Sequence, residues 1–171
     1  MKLVVATLSL GGVALLWGCA LHEPTVVLDR VGPSMLHPAA AGAKGALRVY
    51  SAFEPNADFN GLPYLHHYTD YRLLSQDGGL LQTVHNSDGK PVDGPRMLEL
   101  PAGDYRVIAQ ANAYTTVTVP VVILAGRLTT VHLEGSPSWP DKAALLQSNP
   151  VRLPDGEIAG WRADSQIPSE P

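Results

Sequence analysis

Cysteine is all but missing from the chain: Cys19 is the only one. A lone thiol excludes an intramolecular disulfide and a thiolate cluster for zinc. Charge is also sparse, at 16% of residues, and no run of Lys and Arg occurs. Aromatics make up only 6% and do not interleave with basic residues, so nucleic acid is not an expected partner. The formal net charge is −4, and removing residues 1–18, whose one charge is Lys2, leaves about −5. The G-x-S-x-G elbow, the phosphate loop, the paired-His helix motif and the EF-hand loop are all lacking. What the chain has in quantity is turn formers, 16 Gly and 15 Pro, which favour short strands over long helices.

The N-terminus has a distinct character. Lys2 precedes an apolar run over residues 3–16, too short for a spanning helix and suited to a secretory signal. Leu16-Trp17-Gly18-Cys19 follows and resembles the bacterial lipobox, with a small residue, Gly18, just before the cysteine. That resemblance implies cleavage between Gly18 and Cys19, a diacylglycerol on the Cys19 sulfur and an acyl chain on its new amine. Several chains give stable anchoring, since each buried CH2 contributes roughly 0.8 kcal/mol. Ala20, in place of an aspartate, points to the outer membrane on the same resemblance. Residues 21–45 are rich in Pro, Ala and Gly and read as a tether, with one short strand at Val26-Val27-Leu28.

The fold signal lies in residues 98–135, LELPAGDYRVIAQANAYTTVTVPVVILAGRLTTVHLEG. Leu98 and Leu100 alternate with Glu99, and Tyr105, Val107 and Ala109 alternate with Arg106 and Ile108. Residues 114–124 are β-branched, with Pro120 marking an edge, a bulge or a break. Ala125-Gly126-Arg127 turns the chain into a last strand over 128–133. LPAGDYRV, NAY, AGR and TTVHLEG together resemble carboxypeptidase-regulatory-like and PEGA-type modules, although Ala113 stands where their corner glycine commonly sits. The resemblance implies a prealbumin-like antiparallel β-sandwich of about seven strands. Such modules serve as spacers, binding domains and stabilising appendages, so the likeness speaks to fold rather than activity.

The expected organisation is therefore a signal over 1–18, a lipid-anchored tether over 19–45, an all-β sandwich over 46–135, and an irregular C-terminal extension over 136–171. Within the body, Gln76-Asp77-Gly78-Gly79 is a hairpin signal. Within the extension, Pro140 opens a short helical stretch over 141–147, and Pro154-Asp155-Gly156 turns a small hairpin that places Trp161 over the body or a partner.

Three groups of residues carry candidate chemistry. Tyr64, His66, His67, Tyr68 and Tyr71, with the polar loop 54–63, form a candidate contact surface for a glycan or an envelope protein. The competing reading is that these tyrosines fill the sandwich. His66 and His67 are adjacent, so on a regular strand they face opposite ways; either would need His85 or His132 to make a metal site. Asn56, Asp58 and Asn60 alternate in the loop, a pattern of turn chemistry before calcium. Gly103-Asp104-Tyr105-Arg106-Val107 echoes the opening of intradiol dioxygenases, but their downstream Tyr-Arg and His-x-His are missing, as is the Tyr-Arg-Gly-Ser tail of transthyretin-like hydrolases. The sequence thus points to a non-catalytic envelope lipoprotein without a cofactor. A metal-binding protein or metalloenzyme using His66, His67, His85 and His132 is the first alternative. A subunit of an envelope assembly, contacting it through Trp139 and Trp161, is the second.

Overall fold

The computed structural model describes residues 26–38, 44–54, 67–87, 94–112, 114–136, 139–140 and 149–163, and among them the regular structure is all strand. In chain order the strands are β1 (Val26–Val27), β2 (Val31–Pro38), β3 (Lys44–Tyr50), β4 (Phe53–Glu54) and β5 (His67–Tyr68). Then come β6 (Tyr71–Ser75), β7 (Leu80–Val84), β8 (Met97–Pro101) and β9 (Gly103–Ala109). The last are β10 (Val117–Ile123), β11 (Arg127–His132), β12 (Pro150–Arg152) and β13 (Ile158–Arg162).

β10 shows why the chain folds this way. Val117, Val119, Val121 and Ile123 are at most 1% exposed, and the residues between them are half-buried. That period of two puts one face of the strand into the core. β10 pairs antiparallel with β9 along its whole length. On its other side, β1 pairs with Val117 and Thr118, and β2 with Val121. Pro120, which lacks an N–H, lies opposite the gap between those two strands. The break expected at this proline is in its neighbour, and β10 itself runs through.

Eight strands form one curled path in the order β7-β6-β9-β10-β2-β11-β3-β8, with β1 beside β10 and the β12–β13 hairpin on β2. β4 and β5 make a separate ribbon. The sheet is mixed. β1 and β2 run parallel to β10, and β3 runs parallel to β11. The expected all-β class holds, but the expected antiparallel sandwich of about seven strands is corrected to a mixed sheet. Parallel partners are joined by long connections, and local alternation carries no information about them. Leu47, Val49 and Val131 from one arm meet Leu73, Val107 and Val119 from the other in one core.

A second correction concerns residues 19–45. This stretch is not all tether, because β1 starts at Val26 and β2 lies inside the sheet. β2 turns the corner between the arms: Val31 pairs with β10 and β13, whereas Pro33 pairs with β11. Glycines allow the close approaches. A Cβ on Gly45 would overlap the Leu124 carbonyl oxygen and lie 2.7 Å from Ile123 Cγ2; one on Gly160 would lie 2.7 Å from Val31 Cγ1. The expected C-terminal helical stretch and the loop with Asn56, Asp58 and Asn60 lie outside the described residues.

Two asparagines fasten the loops at one end of the sheet. Asn86 donates to Val49 O at 2.8 Å and to Ser51 Oγ at 2.9 Å, and Ser51 Oγ donates to Thr69 O at 2.6 Å. Asn112 donates through Nδ2 to Glu134 O and through its backbone N–H to Leu133 O, and accepts from Phe53 N. These bonds satisfy polar groups at the sheet end where the site described below is built.

Two substitutions test this packing. Gly45→Ala forces a methyl into the Leu124 carbonyl and should lower unfolding free energy by about 2–3 kcal/mol in urea titration. Tyr71→Phe should do the opposite. Tyr71 is 1% exposed and its hydroxyl has no hydrogen-bond partner. Removing that hydroxyl should leave the urea midpoint unchanged or raise stability by about 1 kcal/mol.

Candidate functional site

The site grows from the C-terminal ends of β3 and β11. His132 and Tyr50 are register partners on these parallel strands. Their side chains leave the sheet together, and the rings stack with centroids 4.4 Å apart and planes 9° from parallel. After β11 the chain passes through Glu134 and through Gly135 at φ 63°. It returns Trp139 to the other face of the imidazole, 3.6 Å between centroids and again 9° from parallel. The result is a three-ring stack, Tyr50–His132–Trp139. Trp139 Nε1 donates to Ile158 O of β13 at 2.9 Å, and the Trp161 ring meets Trp139 edge-on at 6.3 Å. On the far side, Tyr68 lies edge-on to Tyr50 at 5.6 Å and against Phe53 at 5.0 Å.

A buried acid fixes the central ring. His132 Nδ1 and Glu134 Oε1 are 2.8 Å apart, with the two side chains 8% and 3% exposed. Facing a carboxylate, Nδ1 is the donor, which leaves Nε2 to face other partners. Glu134 Oε2 is buried without a hydrogen-bond partner. The Tyr68 hydroxyl responds to this neighbourhood. Its pKa is pushed up to about 12, first by burial, then by the nearby Glu134 carboxylate and the Tyr50 phenol.

His132, Trp139, Ile158, Ser136, Arg152 and Glu157 line a cleft of about 450 Å³. Arg152 is held at the hairpin turn by donating to Gly156 O at 2.6 Å. The cleft therefore has an aromatic and aliphatic wall, a cation, a carboxylate and an oriented imidazole. A smaller depression of about 250 Å³ lies beside Arg30 and Asp104, which are 3.7 Å apart.

The sequence-predicted residues fare differently. Gly18, Cys19, Tyr64 and His66 lie outside the described residues, as does most of the 54–63 loop. His67 pairs through its backbone with Glu54. Tyr68 is half-buried in the aromatic cluster. Tyr71 is a correction: it belongs to the core, where Tyr71 and Leu73 share the inward face of β6. His85 is exposed and pairs with Asp70 at 2.7 Å, whereas His132 is buried on Glu134. The two histidines thus have separate carboxylates. Among the described residues, no group of three or more His, Cys, Asp or Glu could hold a metal ion. Trp161 is 3% exposed and covered by the molecule itself, the first of the two places expected for it, over the body or over a partner. Sequence reasoning missed Tyr50, Glu134, Arg152 and Glu157. The His132-x-Glu134 spacing was the available signal, since residues two apart at a strand end share a face.

No protein-family model, curated protein or solved structure matches the chain.

The buried phenols predict alkaline sensitivity. Burial raises the Tyr71 pKa as well as that of Tyr68. A raised phenol pKa means that the folded state holds its proton more tightly than the unfolded chain, where tyrosine titrates near about 10. The stabilisation is present in full below about pH 10 and is lost as pH climbs toward about 12. Urea midpoints should fall over that window, and the Tyr68→Phe, Tyr71→Phe double variant should lose less.

Proposed function

We propose that this chain is a non-catalytic lipoprotein of a bacterial cell envelope, anchored through an acylated Cys19, and that its β body is a binding module using the cleft beside Trp139. The outer membrane is the proposed location. The observation that carries the binding role is the Tyr50–His132–Trp139 stack ending on an open cleft with Arg152 and Glu157. An aromatic wall with a few convergent polar groups is how small-molecule and partner sites are commonly built. The stack is thus put forward as a site of contact distinct from the tyrosine-histidine surface expected from sequence, most of which lies outside the described residues.

The anchor reading is supported by the leader, Gly18 and the solitary cysteine. Six residues separate Cys19 from Val26, where β1 begins. Fully extended they reach roughly 20 Å. The body is then held close to the headgroups.

Two measurements test the proposal. Mass spectrometry of the mature N-terminus should find an acylated Cys19, and Cys19→Ser should move the protein out of the membrane fraction; a retained Met1 or an unmodified cysteine overturns the anchor. For the binding role, the Trp139 indole N–H resonance of the purified full chain should shift with solubilised envelope extract of the source cells. It should stay in place with cytosolic extract. A resonance unmoved by both removes the cleft as a contact site.

A further inference from the structure

The charges at the cleft restrict its ligand. Arg152 and Glu157 are both exposed and carry opposite signs. They do not form an ion pair with each other, and neither is in the ion pairs of the described residues, which are Arg30–Asp104, His85–Asp70, His132–Glu134 and Arg162–Asp29. Among the described residues lining the cleft they are one positive and one negative charge, so this part of the lining carries no excess of either sign. Screened, solvent-exposed ion pairs also add little net affinity, which argues against a zwitterion held by its charges.

What remains is hydrogen-bonding capacity beside an apolar wall. The Arg152 guanidinium donates only, and one of its nitrogens is already held by Gly156 O. The Glu157 carboxylate accepts only. His132 lines the same cleft with Nδ1 tied to Glu134, leaving Nε2 without a protein partner among the described residues. Trp139 and Ile158 supply the apolar wall. A hydroxyl group both donates and accepts, so a row of hydroxyls suits both the Arg152 donors and the Glu157 acceptor. A ring that carries hydroxyls at its rim and C–H bonds on its face also fits the aromatic wall. The volume of about 450 Å³ lies within the range of small-molecule pockets.

We propose that the cleft between Trp139, His132, Arg152 and Glu157 binds a neutral saccharide of one or two rings. This rests on the reading of the chain as a binding module. The assignment of roles is direct: Arg152 donates to ring hydroxyls, Glu157 accepts from them, and the face of Trp139 away from His132 covers the C–H face.

The test is titration of the purified full chain with cellobiose, chitobiose and maltose, followed by the Trp139 indole N–H resonance, which Trp139→Phe assigns. At least one disaccharide should shift it saturably. Arg152→Ala, which also gives up the bond to Gly156 O, and Glu157→Gln should each weaken that binding about tenfold, with urea midpoints measured alongside to show that the fold is kept. The saccharide assignment is overturned if all three sugars leave Trp139 unmoved, or if both variants bind as tightly as the parent. It is equally overturned if a galacturonate dimer or dialanine moves the resonance while the neutral sugars do not. A shift with envelope extract but with none of the sugars rejects the saccharide and keeps the binding module; no shift with either rejects both.

Discussion

The molecule depends on β2 being shared between the two arms of its sheet. Within three residues this strand changes partners, from β10 and β13 at Val31 and Gly32 to β11 at Pro33. Without that corner no strand ladder joins the two arms, which would be left with single bonds such as Ala52 N–H to Gln110 O, and the C-terminal hairpin has no strand to lie on. The corner demands close packing. A Cβ on Gly32 would come within 2.6 Å of Ala163 Cα, and Gly160 sits against Val31. The site inherits this dependence. Trp139 is held by the Ile158 carbonyl of β13, and β13 is held by β2. A defect at the corner would therefore reach the cleft through backbone bonds, without touching a residue that lines it.

The buried His132–Glu134 pair is the other constraint, and its energetics differ from those of the core. Burying a polar pair carries a desolvation cost that packing alone does not repay, and its partner groups must be satisfied for it to be tolerated. Here the imidazole is sandwiched between Tyr50 and Trp139, and its Nδ1 is tied to the acid. Glu134 in turn has its backbone oxygen held by Asn112, while Oε2 is left without a partner. Such a pair is weakly justified as a device for stability. It makes better sense as a device for orientation, because it fixes the ring and which imidazole nitrogen carries the proton toward Glu134.

Much of the sheet was legible in the sequence, and the reasons for what was missed are physical. β9, β10 and β11 were readable because their side chains alternate between core and surface, and because Gly126, at φ 68°, supplies the turn that AGR announced. The hairpin at Gln76-Asp77-Gly78-Gly79 was readable for the same reason: Gly78 takes φ 94°, and Ser75 N–H donates to Gly79 O. β2 was not readable. Its sequence, VGPSMLHP, has the composition of a linker, and only its neighbours make it a strand. Tyr71 was misplaced although its signal was present, since Tyr71-x-Leu73 is an apolar pair of period two that marks a core face. The stack was illegible because Tyr50, His132 and Trp139 come together through a parallel pairing and an irregular return, neither of which leaves a spacing to find.

The register also links the anchor reading to the site. Val26, the start of β1, is level with Val117 of β10, which pairs with Ala109, the last residue of β9. Three residues beyond Ala109, Asn112 holds Leu133 O and Glu134 O, beside the ring stack. β1 therefore starts at the same end of the sheet that carries the cleft. Under the proposed anchoring at Cys19, with six residues between it and β1, that end would face the bilayer and the opposite turns at Gly126 and Gly78 would point away. A ligand reaching the cleft would then come from the membrane surface or from the layer just above it, which bears on both the size of ligand that fits and the direction from which it approaches.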